Sequence, residues 1–150
     1  MKKLTYRMEI KAPKERVYEK MIGKDTFKQW TAEFNPTSDF EGGWNKGDEI
    51  RFIGISETGK KEGMLARIEE NIPNEFISIH HYGIVDGENE VTEGPMVESW
   101  TPAYENYSLS QEMEITNLMV EVDVSDEHIE YFDETWPKAL LKLKEISENI

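Results

Sequence analysis

Apolar and polar residues alternate at the start of the chain. Leu4, Tyr6, Met8 and Ile10 are separated by polar side chains, which predicts a strand over 4–11 with one buried face. The period then changes. Pro13 suits the first turn of a helix, where its missing N–H is no loss. Val17 with Met21 and Tyr18 with Ile22 are i,i+4 pairs, and Gly23 is a stop signal. Asp25 is placed to cap a second short helix carrying Phe27 and Trp30, which Asn35-Pro36 ends.

A run of short strands follows. Gly42-Gly43 and Asn45-Lys46-Gly47 punctuate turns around Trp44. Ile50, Phe52 and Gly54 alternate with Arg51, Ile53 and Ile55, a strand apolar on both faces, and Glu57-Thr58-Gly59-Lys60 reads as a hairpin turn. Met64, Ala66 and Ile68 form one face of the next strand, with Arg67 and Glu69 on the other. Pro73-Asn74 turns the chain into a strand over 76–82. Residues 86–95 are acidic and Gly-bearing and read as a long hairpin loop. Strands are predicted over 104–110 and 114–123, the second with Thr116, Leu118, Val120 and Val122 on its apolar face.

The end of the chain is helical. Ser125 is placed to cap it, and Asp126 and Glu127 fall in the first turn, where the helix dipole favours acids. Phe132, Trp136, Leu140 and Leu143 make one apolar stripe. Pro137 lacks a donor, so a kink or a restart is expected there, with Thr135 as a new cap. Consecutive antiparallel strands with helices grouped at the ends define an α+β plan, one long helix lying on a curved sheet of about six to seven strands.

Several segments in this order resemble START-like (SRPBCC) domains. They are the opening Ala12-Pro13-Lys14-Glu15-Arg16-Val17-Tyr18, the short helix ending Gln29-Trp30, the Gly43-Trp44 turn, and Gly47-Asp48-Glu49-Ile50-Arg51-Phe52. The tail Thr135-Trp136-Pro137 with Leu140 and Leu143 completes the set. The branch most resembled is the family related to the activator of the heat-shock protein 90 ATPase (activator of Hsp90 ATPase homologue 1-like), within the wider Bet v 1-like fold. The resemblance covers residues 1–150 as a single domain. It implies a helix-grip fold, in which the last helix grips a curved antiparallel sheet around a cavity that binds hydrophobic molecules. The chaperone activator itself is longer, with a separate N-terminal domain for which this chain has no room, so ATPase activation is not carried over.

Composition narrows the functional classes. The chain has no Cys, which excludes disulfides and thiolate metal sites. No stretch approaches the about 20 apolar residues of a membrane span. The start MKKLTYRMEI lacks the apolar run of a secretory signal, so a cytoplasmic location is expected. The net charge is −14, and between Ile68 and Pro137 there are 18 carboxylates and no Lys or Arg. Such a field repels phosphate backbones and anionic lipid, which argues against nucleic acid and membrane insertion and allows a basic protein partner. A monomer or weak homodimer is expected.

Motifs for phosphate cradling, a nucleophile elbow or a zinc protease helix are absent. Asp86, Glu88 and Glu90 mimic the start of a calcium loop, but Val91 stands where the loop needs Gly. Adjacent His80 and His81 point to opposite faces of a strand and cannot share a metal, so neither metal nor cofactor is expected. The most chemically pointed set is His81, Glu105 and Tyr107. Strand parity places Ile77, Ile79 and His81 on one face and Glu105, Tyr107 and Leu109 on another; a shift of one residue would put His80 inward instead. If both faces look inward, an imidazole, a carboxylate and a phenol converge. They would orient a polar ligand head, serve as acid–base groups, or form a self-satisfied buried pair. Trp30, Phe34, Trp44, Phe52, Met64, Leu118, Trp136 and Leu140 are the candidate cavity walls, or equally a filled core.

Three functions fit these residues. The first is binding of a small hydrophobic or amphipathic molecule. The second is a cyclase- or hydrolase-like enzyme using His81, Glu105 and Tyr107, although no nucleophile–base motif supports it. The third is a chaperone-linked interaction module working through Glu88, Glu90 and Glu93.

Overall fold

The computed structural model describes residues 1–149. Its first strand, β1 (Lys2–Ile10), turns Leu4, Tyr6, Met8 and Ile10 to the buried side, as the alternation predicts. Helix α1 (Lys14–Ile22) buries Val17 and Met21. Pro13 sits one position earlier than the sequence suggests, at the N-cap, where its carbonyl accepts from the N–H groups of Arg16 and Val17. Gly23 both ends α1 and begins α2 (Lys24–Thr31), so Gly23 and not Asp25 holds the second cap. The corner is too tight for any other residue. A Cβ there would lie 2.7 Å from Thr26 Oγ1 and 2.9 Å from the Glu19 carbonyl oxygen.

Seven further strands follow: β2 (Asp39–Gly42), β3 (Glu49–Ile55), β4 (Lys61–Ile72), β5 (Phe76–Asp86), β6 (Asn89–Val91), β7 (Ala103–Glu112) and β8 (Ile115–Val124). All pairings are antiparallel, in the order β1-β8-β7-β5-β4-β3-β2, with β6 on the free part of β5. The two strands beyond the expected number are β2 and β6, four and three residues long, too short to display a period of two. The acidic segment read as a loop thus contains β6, and the single-turn helix α3 (Pro95–Glu98) follows it. Opposite Leu65 and Ala66 of β4, Tyr82 of β5 is left over as a bulge. Past this irregularity Leu65 and Val85 are buried outside the main core, as is Val97 of α3, which packs on β5.

Helix α4 (Ile129–Glu148) runs without interruption through Pro137, so the expected restart does not occur. Pro137 is exposed, and so is Asp133, whose carbonyl loses its intrahelical donor, so the break falls on the solvent side of the helix. Thr135 is a buried helical residue, not a cap. Ser125 caps a 3-10 turn (Asp126–His128) instead, with its Oγ 2.8 Å from His128 Nδ1, and His128 takes the N-cap of α4. The helix packs on α1, α2 and β1 and turns Trp136, Ala139, Leu140 and Leu143 inward. Among the described residues no helix is long and apolar enough to cross a membrane.

The stripe makes a contrast between neighbours. Leu140 is 1% exposed and Leu141 48%. Leu140→Ala is expected to destabilise by about 2–5 kcal/mol in urea unfolding, and Leu141→Ala to stay within roughly 0.5 kcal/mol of the parent. Equal effects would remove α4 from its assigned face.

Candidate functional site

Antiparallel register decides which side chains meet. Ile77 pairs with Tyr107, Ile79 with Glu105 and His81 with Ala103, so His81, Glu105 and Tyr107 share the face that α4 covers. The structure therefore brings the predicted trio together. His81 Nε2 lies 3.0 Å from Glu105 Oε1, and the Tyr107 hydroxyl donates to Glu105 Oε2. An ionised carboxylate only accepts, so the network assigns the His81 hydrogen to Nε2 and leaves Nδ1 as the free position of the ring. His81 and Tyr107 are each 4% exposed, while the Glu105 side chain keeps 19% of its surface open. Burial, followed by the negative charge of Glu105 and the hydrogen bond to it, pushes the Tyr107 phenol well above the usual tyrosine range. His80 faces outward, with Nδ1 3.1 Å from Glu69 and its ring stacked 4.9 Å from Tyr104.

Around the trio the candidate walls form a connected set of rings. Trp136 lies 5.0 Å from Phe34, 6.3 Å from Trp30 and 6.2 Å from Tyr107. On the other side Phe52 is 5.7 Å from His81 and 5.8 Å from Trp44. Trp30, Trp136, Leu118 and Leu140 are buried, and Phe34, Trp44 and Phe52 are half-buried against them. Met64 departs from the set. It pairs with Phe52 on the inward face but lies beyond the bulge, outside the packed core and 37% exposed. Side chains thus fill most of the space between sheet and helix. Two concavities of about 420 Å³ each lie outside it. One is on the outer sheet face by Arg7, Glu9, Asn117 and Met119, the other by Arg16, Glu19 and Asn149.

Three nitrogens in the grip have no hydrogen-bond partner among the described residues: His81 Nδ1, Trp44 Nε1 and Trp136 Nε1. Trp30 differs, because its Nε1 donates to the Met21 carbonyl at 3.1 Å. Sequence reasoning treated all three tryptophans as apolar wall. It also passed over Tyr6, whose ring stacks 6.0 Å from Trp136 and whose hydroxyl donates to Asp133 at 2.7 Å. Its place on the apolar face of β1 was the available signal. Phe40 was missed with its short strand; it packs 5.1 Å from Phe27 and 5.3 Å from Trp44. The Trp44 carbonyl is held by Asn71 Nδ2 at 2.6 Å, and Asn71 Oδ1 by the Tyr18 hydroxyl at 2.8 Å.

Two of the three calcium-like acids are committed elsewhere. Asp86 pairs with Lys60 and Glu90 with Arg51, whose guanidinium is raised by that hydrogen bond. No group of three metal-ligating side chains gathers among the described residues.

No family model and no curated protein matches the sequence. Solved structures do. An Aha1 protein from Colwellia psychrerythraea, solved as a dimer, superposes with a TM-score of 0.71 at 23% identity over 99% of this chain and 98% of that one. NE0264 from Nitrosomonas europaea gives 0.73 at 16% identity, over 95% and 92% of the two chains. DynU16, from the dynemicin biosynthetic locus, gives 0.69 at 13% identity, over 98% of this chain and 47% of that one. These likenesses show the fold: a helix-grip α+β fold, shared with the Colwellia Aha1 protein among others.

The buried phenol links the site to alkaline stability. Its folded pKa is raised, so its contribution is complete below the unfolded tyrosine value of about 10 and is lost as pH climbs toward the folded value. In that window the unfolded chain releases a proton that the folded one keeps. Tyr107→Phe is therefore expected to lower stability near neutral pH yet flatten its alkaline decline by about 1.4 kcal/mol per pH unit. Urea unfolding measured at a series of alkaline pH values reads the slope, and parallel slopes would place Tyr107 in a wetter setting.

Proposed function

We propose that the chain binds a small hydrophobic or amphipathic molecule between its sheet and α4. The ring wall takes the apolar body, and the trio orients a polar head. One observation carries this reading: within a predominantly aromatic interior, His81 Nδ1, Trp44 Nε1 and Trp136 Nε1 are left without partners. Buried polar atoms are nearly always hydrogen-bonded, and an orphan costs about 1–3 kcal/mol. Three in one interior mark a surface arranged for a guest. Phe34, Trp44 and Phe52 are only half-buried, so the guest would enter by displacing them. The fold's occurrence in a protein of a biosynthetic locus agrees with small-molecule handling.

Holding fits the geometry better than turnover, because the trio supplies acid–base groups but no activated nucleophile. An interaction module on Glu88, Glu90 and Glu93 is less favoured, since Glu90 is already bonded to Arg51.

Native mass spectrometry of the purified protein, followed by denaturing extraction, tests the reading. A co-purifying small molecule is expected, with occupancy reduced about tenfold in His81→Ala. A protein that is empty and shows no thermal shift against a panel of lipids and metabolites would overturn it.

A further inference from the structure

The interior has a definite electrostatic character. No Lys or Arg is buried among the described residues, and the polar groups that are buried are Thr31, Ser78, His81, Thr116, Thr135 and Ser147. The one carboxylate of the trio, Glu105, is already committed to His81 and Tyr107. A guest bearing a carboxylate or phosphate would place a second negative charge beside Glu105 with no counter-cation to take it. Two like charges cannot comfortably share such a site. An uncharged guest meets no such barrier.

The orphaned atoms say more. With its Nε2 hydrogen directed at Glu105, the neutral form of His81 presents an Nδ1 lone pair, which needs a donor. The two indole groups present N–H donors, which need acceptors. A hydroxyl can give its hydrogen to Nδ1, which an ether or ester has no hydrogen to do. We infer that the guest is an uncharged molecule bearing a hydroxyl, which donates to His81 Nδ1, and that Glu105 excludes anionic amphiphiles. This rests on the binding reading above and adds the class of head group.

Decanol, decyl methyl ether and decanoic acid test it, because they share a tail and differ only at the head. Titrations followed by NMR at about pH 8, where the free acid is ionised, read the affinities. Decanol is expected to bind about tenfold or more tighter than either the ether or the decanoate. Glu105→Gln keeps the side-chain volume and removes the charge, and it should bring decanoate to within about threefold of decanol. His81→Phe keeps a ring and removes Nδ1, and it should reduce decanol to the level of the ether. Circular dichroism confirms that each variant is folded, and the parent protein alone still decides the head-group order. Decanoate binding as tightly as decanol, or the ether doing so, would overturn the inference and leave the binding reading intact. Failure of all three probes to bind the parent would overturn both.

Discussion

A single indole ties the layers of this molecule together. Trp136, on the inward stripe of α4, packs on Tyr6 of β1, Trp30 of α2, Phe34 just beyond α2, and Tyr107 of β7. A helix lying on a curved sheet touches it only along a line, so the space to either side must be filled by something large. Aromatic side chains do this with few rotatable bonds and prefer tilted or edge-on contacts. Toward the C-terminal end of α4 the packing is aliphatic, through Ala139, Leu140, Leu143 and Ile146, and around Trp136 it is aromatic.

Tyr107 belongs to two systems at once. Its ring is part of the aromatic set, at 6.4 Å from Trp30, and its hydroxyl is part of the polar trio. Any movement of the wall at Trp136 is therefore felt at Glu105 and through it at His81. A buried polar network is favourable only when its members are satisfied. Here the inner links are made, and His81 Nδ1 is left unsatisfied, as are the Trp44 and Trp136 indoles and also Asn106 Oδ1 and Ser147 Oγ. An arrangement serving only the fold would place those atoms as Trp30 is placed, with the indole closed on a backbone carbonyl.

How much of this can be read from residues alone depends on the length of each element. β1 and β8 are nine and ten residues long, and their alternation identifies both strand and face. Parity on β5 and β7 was enough to bring His81, Glu105 and Tyr107 together, because residues 76–81 pair in unbroken register with 103–108. The same counting fails one residue later. The bulge at Tyr82 shifts the parity of β5 there, whereas Met64 keeps the inward face its spacing predicts and is 37% exposed because it lies beyond the packed core. β2 and β6 are too short for any period to emerge. Pro137 misled for a different reason. Its effect on a helix depends on whether the freed carbonyl meets water or protein, and that is a property of the tertiary fold. The orphaned nitrogens were illegible for the same cause: a tryptophan in a sequence does not disclose whether its N–H will find a carbonyl.

The charge asymmetry of the sequence acquires a meaning from the topology. The basic first part of the chain and the acidic later part lie side by side, through Arg51 with Glu90, Lys60 with Asp86, Lys46 with Glu70, Lys14 with Glu75 and Lys3 with Asp123. Exposed pairs of this kind contribute roughly 0–1 kcal/mol each, so they do not hold the fold together. They do consume much of the available positive charge at the surface. What remains is a molecule of net charge −14 whose interior holds no buried Lys or Arg among the described residues. Field and interior then act in the same direction. An anion is repelled on approach and finds no cation on arrival, whereas a neutral amphiphile experiences neither effect and meets an aromatic wall with free hydrogen-bonding groups.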